Sequence, residues 1–554
     1  MSASQTNSGP QAEWDSHEEN IRTRRHRRGG RAATAAVITL AAGSLVLSAC
    51  GSGRTDSGDS GGVVTVGTTD QIYALDPAAS YDNGSLAVMR NVYPFLLDFA
   101  PGTGELTPSA AEKCDFSQPT VYTCTLKSGL KFANGDPLTA TSVKYSFDRM
   151  LGINDPNGPA SLLANLDKTD APDATTVNFT LKEPNDQTFP QLLGTNVGPI
   201  VDEKVFPADK ILDDDAIVKS NAFAGQYRIS SYQKNQLVEY KKNDGYIGLL
   251  GAPKTDTVRV KYYAQPTNLK LDIEQKQIDV AYRSLTPTDI TALRGNSDLT
   301  VHEGPGGELR YIVFNFDTMA GATPAQKLAV RKAIASSVDR AAIAKDVYQD
   351  TYSPAYSMVA GGLPGAVDSY KMYGEKPDTA KARGYLTAAG VTAPVAINLW
   401  YNPDHYGSNS ADEYAKVKAQ LEATGLFRVT LNSANWETYN KARVQDTYPT
   451  YQLGWFPDFP DADNYLTPFL DKNNFLQSHF EDPQITSMLS AERTEQDPTK
   501  RAAILADIQN TVADKFVTTL PLLQGKQVAV GVKALDGVTL DKSFTFRYGL
   551  LSKS

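Results

Sequence analysis

From Val63 to the end of the chain, strand-like runs alternate with amphipathic helical ones and no fixed period repeats, which points to α/β lobes. The segment Val121–Leu151 sets the pattern. Tyr122 to Leu126 alternates as a strand does, and Asn134-Gly135-Asp136-Pro137 is a turn signal. Thr139 then caps a helix that puts Val143, Phe147 and Met150 on one face. Gln226–Tyr246 predicts two strands around a polar turn. Tyr311–Phe316 predicts a strand leading to a helix opened by Thr323-Pro324, with Asp339 capping the helix after it. Val63–Val66, Leu520–Leu523, Gln527–Val530 and Ser543–Phe546 also read as strands. At 554 residues there is material for two to four lobes, roughly 100–200 residues each.

Composition removes several functional classes. With 41% hydrophobic residues, 27 Tyr and 20 Phe the chain is too apolar to be disordered. A net charge of −9 argues against nucleic-acid binding through a basic face. Three cysteines are too few for a disulfide scaffold or a multi-cysteine metal cluster. Past residue 50 the histidines are His302, His405 and His479, with no HExxH and no helical ligand spacing. There is no GxSxG elbow. Asp461-Ala462-Asp463-Asn464 begins like a calcium loop, but Tyr465 fills the fifth position and no glycine follows. No catalytic or metal site is expected, and no cofactor.

The first fifty residues are of another kind. Six arginines between Arg22 and Arg31 precede an alanine-rich apolar run, Ala32–Val46, and then Leu47-Ser48-Ala49-Cys50. A basic region, a short apolar region and small residues at a cut site compose a secretory signal. Leu-Ser-Ala-Cys resembles a bacterial lipobox, which implies cleavage after residue 49 and a diacylglycerol on Cys50. A single membrane-spanning anchor is the alternative. Gly51–Gly62 holds only Gly, Ser, Asp, Arg and Thr and reads as a flexible tether. In an exported, oxidising setting Cys114 and Cys124 are expected to pair; two buried thiols are the other reading.

Four segments, taken in order, resemble the extracellular solute-binding proteins of the peptide-type ABC importers. Tyr122–Met150 looks like that family's signature, in which Leu-Lys-x-Gly-x-Lys-Phe leads to Asn-Gly-x-Pro-Leu-Thr-Ala and a helix. Phe223-Ala-Gly-Gln-Tyr227 resembles its Gly-x-Gly-Pro-Tyr turn, with Gln226 in place of proline. Val330-Arg-Lys-Ala-Ile334 with Val338-Asp-Arg340 resembles its Val-Arg-x-Ala-Ile…Ile-Asp-Arg helix. Gly454-Trp455 followed by Asp458 and Pro460-Asp461-Ala462-Asp463-Asn464 looks like its Gly-Trp…Pro-Asp-x-x-Asn loop.

The resemblance implies the α/β, two-lobed, hinged type II periplasmic-binding-protein fold with an extra inserted domain. Residues 1–49 would be the lipoprotein signal and 50–62 the tether. The first lobe would comprise 62–88, 223–308 and 524–554, the inserted domain 89–222, and the second lobe 309–523. The chain would cross between lobes near Leu309–Tyr311 and Leu523–Gly525.

It further implies a monomer that is not an enzyme, captures peptides between its lobes and delivers them to an ABC permease from the extracytoplasmic face of the membrane. The alternatives are a non-peptide solute (a nickel chelate or an oligosaccharide) on the same fold, or a lipid-anchored hydrolase. Carried over residue by residue, Asp458 stands where peptide binders hold the ligand's α-ammonium, with Asp461 and Asp463 of the same loop as the alternatives. Trp436 would supply a cleft wall, Arg443 a ligand-facing cation, His405 a carboxylate contact, and Trp455 the motif tryptophan. Gln452 departs from the pattern, because oligopeptide binders carry a carboxylate-binding arginine there. What holds a ligand's C-terminus is left open.

Overall fold

The computed structural model describes residues 62–554, Ser284 and Asn473 excepted. The leader, Cys50 and nearly all of the tether therefore lie outside the described residues. Among the described residues no helix is long and apolar enough to cross a membrane.

Two large mixed sheets and one small antiparallel sheet organise the body. The first has seven strands, in the order Leu299–Gly304, Gln527–Val532, Val280–Tyr282, Val63–Thr68, Thr257–Tyr262, Leu237–Lys242 and Tyr227–Gln233. The second has six: Tyr352–Pro354, Thr519–Gly525, Leu309–Phe314, Thr450–Trp455, Val395–Tyr401 and Phe427–Ser433. The chain passes from the first to the second through residues 305–308, and returns through Lys526 alone. Leu309–Tyr311 and Leu523–Gly525, where the sequence placed these passages, are themselves strand: Leu309 lies opposite Gln524, and Tyr352 opposite Gly525. Each passage sits just outside the named strands, where the Glu308 carbonyl still accepts from the Gly525 amide and the Lys526 amide donates to the carbonyl of Thr351.

The small sheet runs Ala111–Gln118, Val121–Leu126, Thr176–Leu181, Leu166–Asp170, antiparallel throughout. Cys114 and Cys124 face each other on its first ladder, with Cα atoms 4.1 Å apart, and are bonded. The helix Ala140–Ile153 covers it and buries Val143, Phe147 and Met150. Thr139 and Ser142 form a reciprocal capping box at its start. Thr323 and Asp339 likewise cap Pro324–Ala335 and Arg340–Asp346, so the helix starts read from the sequence coincide with those observed.

Gly225 shows why the turn after Phe223 needs glycine. Its amide donates to the carbonyl of Val92, and a Cβ there would lie 2.4 Å from the carbonyl oxygen of Asn91. One expected strand is absent. Ser543–Phe546 pairs with no neighbour, because the Asp541 carboxylate takes both the amide and the hydroxyl of Ser543 and is itself bound by Arg547. Such local side-chain bonds satisfy the backbone in place of a ladder. The segment instead lines the cavity described next.

Candidate functional site

A cavity of about 250 Å³ lies between the end of the first sheet and the loop that follows the second sheet's Thr450–Trp455 strand. One wall comes from Thr68, Asp70 and the Tyr81–Gly84 entry to the helix Asn83–Val92. Tyr282 and Phe546 continue it, stacked 4.2 Å apart and 10° from parallel. The facing wall is Phe456, Pro457, Asp458 and Phe459. Phe459 both lines the cavity and packs into the core around the small sheet, so this loop joins the two.

Asp458 is held from both sides. Its amide donates to Asn464 Oδ1 at 2.9 Å, and Asn464 Nδ2 donates back to Asp458 Oδ2 at 3.1 Å. Across the cavity the Tyr81 hydroxyl donates to Asp458 Oδ1 at 2.5 Å. Burial pushes the Asp458 carboxyl above its usual value, against the two hydrogen bonds that favour the anion. The Tyr81 hydroxyl is pushed up in turn, by desolvation and by the facing carboxylate. Asp458 is thus a half-buried carboxylate at the cavity wall, placed where a cation could pair with it.

The motif's other aspartates are occupied. Asp461 is gripped by Arg501 at 2.7 and 2.8 Å, and Asp463 accepts from Thr467 beside Arg493. Of the three, Asp458 alone lines the cavity. Trp455 donates its indole N–H to Asn464 Oδ1 at 3.3 Å and so helps to place the residue that clamps Asp458.

The remaining candidates lie apart from this cavity. Arg443 is buried, spends its donors on Asn440 Oδ1 and the carbonyl of Phe475, and stacks 4.4 Å over the Phe475 ring. His405 and Trp436 stack on each other at 3.8 Å, and Asp404 takes the Trp436 amide. Desolvation lowers the His405 pKa. Gln452 is fully buried and bridges the Asn402 amide to the Ser410 hydroxyl. Sequence reasoning missed Asp70, Tyr81, Tyr282, Arg283 and Phe546, which sit at strand ends and in irregular segments without periodicity. The one local signal was Asp82, which caps the helix beginning at Asn83 and so fixes where Tyr81 stands.

No histidine or cysteine lines the cavity, and among the described residues no three metal-ligating side chains come together. Its chemistry is recognition: a desolvated carboxylate, aromatic walls and hydrogen-bonding loops. The model of the bacterial extracellular solute-binding proteins, family 5, matches residues 105–477. The chain belongs to that family. It is similar to the oligopeptide-binding protein OppA of Bacillus subtilis (strain 168), 26% identical over 513 residues, which is 85% of this chain and 91% of the relative. It is also similar to the dipeptide-binding protein of Escherichia coli (strain K12), 26% identical over 412 residues, covering 70% and 74%. The crystal structure of the ABC transporter substrate-binding protein CtaP from Listeria monocytogenes superposes with a TM-score of 0.76 at 22% identity, covering 89% of this chain and 99% of that one. The fold is therefore the type II periplasmic-binding-protein fold, and the chain is an extracytoplasmic solute-binding protein of the ABC importers, not an enzyme.

Proposed function

We propose that the protein is a lipid-anchored receptor that captures peptides between its lobes and hands them to an ABC permease. The observation that carries the peptide reading is Asp458, a desolvated carboxylate clamped by Asn464 and met across the cavity by Tyr81. An α-ammonium placed there supplies the missing positive charge, and a charge-assisted bond of this kind is about twice as strong as a neutral one. The names of the two bacterial relatives favour the same ligand class. Asp458 is the ammonium site; Trp455 supports it through Asn464, while Trp436, His405 and Arg443 shape the second lobe.

The lobes follow the sheets: 62–88, 223–308 and 524–554 form the first, 309–523 the second, and 89–222 the insertion. The two passages, residues 305–308 and Lys526, are the hinge, and contacts such as Tyr81 to Asp458 belong to the closed state. The signal ending at residue 49, the lipid on Cys50 and the tether hold a monomeric body at the outer face of the cell membrane. Native mass spectrometry of the purified protein tests the ligand class, because closed clefts retain what they capture. A ladder of peptide masses is the expected result. A single retained non-peptide mass overturns the peptide reading and leaves the family intact.

A further inference from the structure

The position where oligopeptide binders carry a carboxylate-binding arginine holds Gln452, buried away from the cavity, so a ligand's C-terminus needs another partner. Two arginines line the cavity. Arg90 is spent: it pairs with Asp98 at 3.1 Å, donates to the carbonyl of Gly194 at 2.6 Å and packs against Phe95 and Phe99. Arg283 is not. Its Nε stands 3.5 Å from Asp70, beyond hydrogen-bond length, and among the described residues its guanidinium makes no hydrogen bond. Among the described residues, the N–H donors on its two terminal nitrogens are therefore unspent at the cavity wall.

Its placement carries a conformational cost. Arg283 follows the last residue of the Val280–Tyr282 strand with φ at +69°, the left-handed region that side chains other than glycine adopt only under strain. The side chain is then fixed from two directions. Asp70 holds the Nε side, and the Phe456 ring, contributed by the facing wall, lies 5.6 Å from the guanidinium carbon. Among the described residues this arrangement leaves the two terminal nitrogens, the edge that binds a carboxylate in bidentate fashion, without a partner.

We infer that Arg283 is the anchor for the ligand's terminal carboxylate, so that the cavity selects short zwitterionic peptides, ammonium on Asp458 and carboxylate on Arg283. The inference rests on the peptide reading above. A volume of about 250 Å³ lies close to the roughly 300 Å³ at which pockets for drug-sized molecules begin, which suits a short peptide. The anchor also spans the lobes. Arg283 directly follows a strand of the first sheet and Asp458 lies in the loop after a strand of the second, so a peptide held at both ends ties the two together.

Pools of di- and tripeptides, as free acids and as the same sequences amidated at the C-terminus, test this by native mass spectrometry and calorimetry. Wild-type protein is expected to prefer acids over amides on the order of 10- to 100-fold, the worth of a charge-assisted hydrogen bond. Arg283→Gln should abolish that preference while amides bind as before, and Arg283→Lys, which keeps the charge but loses the fork, should retain part of it. Asp458→Asn should weaken acids and amides alike. A preference that survives in Arg283→Gln overturns the assignment, as does a wild-type protein that binds both forms equally. A wild-type protein that binds neither pool is a different result, because it removes the peptide reading itself.

Discussion

Replacing Asp458 with asparagine separates the charge of the site from its hydrogen bonds. The carboxylate accepts from Asn464 on one oxygen and from Tyr81 on the other. An asparagine amide can keep both contacts: its oxygen accepts from Asn464 and its NH₂ donates to the Tyr81 hydroxyl, which reverses from donor to acceptor. The geometry survives and the charge is gone. For a peptide whose ammonium remains in the cleft, losing a buried ionic partner costs about 2–5 kcal/mol, or roughly 30- to 4,000-fold in Kd.

Stability should move the other way. The Asp458 pKa is raised in the folded protein, so the stability gained by holding that proton is present below the unfolded carboxylate's value and lost as pH rises through the folded one. At neutral pH the charge is a net cost to the empty protein, and Asp458→Asn should melt no lower than wild type. Wild-type affinity should fall as pH drops through the raised value, above the usual carboxylate range, whereas the weak affinity of the variant should not follow that titration. Calorimetry with a retained peptide, run at several pH values, reads both effects. Variant affinity within about threefold of wild type, under 1 kcal/mol, refutes the ammonium assignment. A large drop in melting temperature makes the carboxylate structural instead.

Two further substitutions probe the frame around the site. Gly225→Ala drives a Cβ to 2.4 Å from the Asn91 carbonyl and should cost about 1–3 kcal/mol or more in urea unfolding, whereas Gly152→Ala, with open space in a helix, should be neutral or slightly stabilising. Replacing Cys114 and Cys124 with alanine opens a loop of sequence separation 10 and should remove roughly 3 kcal/mol, with peptide Kd unchanged because neither residue lines the cavity; equal unfolding curves with and without reductant would contradict it.

What could be read in advance divides along physical lines. Caps and turns are local, so Thr139, Thr323 and Asp339 mark their helices without knowledge of the rest of the chain. Asp458 was legible because Gly454-Trp455 and the Pro-Asp-x-x-Asn spacing carry a family pattern, and Asn464, the last residue of that pattern, turns out to be its clamp. Arg283 was not. Its strand is three residues long, its backbone is left-handed, and its partners Asp70 and Phe456 lie far away in sequence. Ser543–Phe546 was misread because its alternation satisfies a strand template, while Asp541, two residues before it, had already captured its backbone. The His405–Trp436 pair shows the reverse limit: the residue types suited a cleft wall, yet the two rings satisfy each other.

The first strand of the body has a consequence for how the molecule is made. Val63–Thr68 is the middle strand of seven, and its parallel neighbours are Thr257–Tyr262 and Val280–Tyr282. The partner of Val63 is Thr257, so this strand must wait for nearly two hundred residues before it gains that neighbour. Gln527–Val532, which closes the other side of Val280–Tyr282, arrives about 250 residues after that strand. The small sheet, whose strands all fall between Ala111 and Leu181, has no such wait. Loop closure of this length is slow, so the small sheet is complete while the first lobe is still an open chain. A nascent molecule interrupted anywhere before residue 527 carries an unfinished central sheet with unpaired strand edges, the kind of state a quality-control protease would recognise.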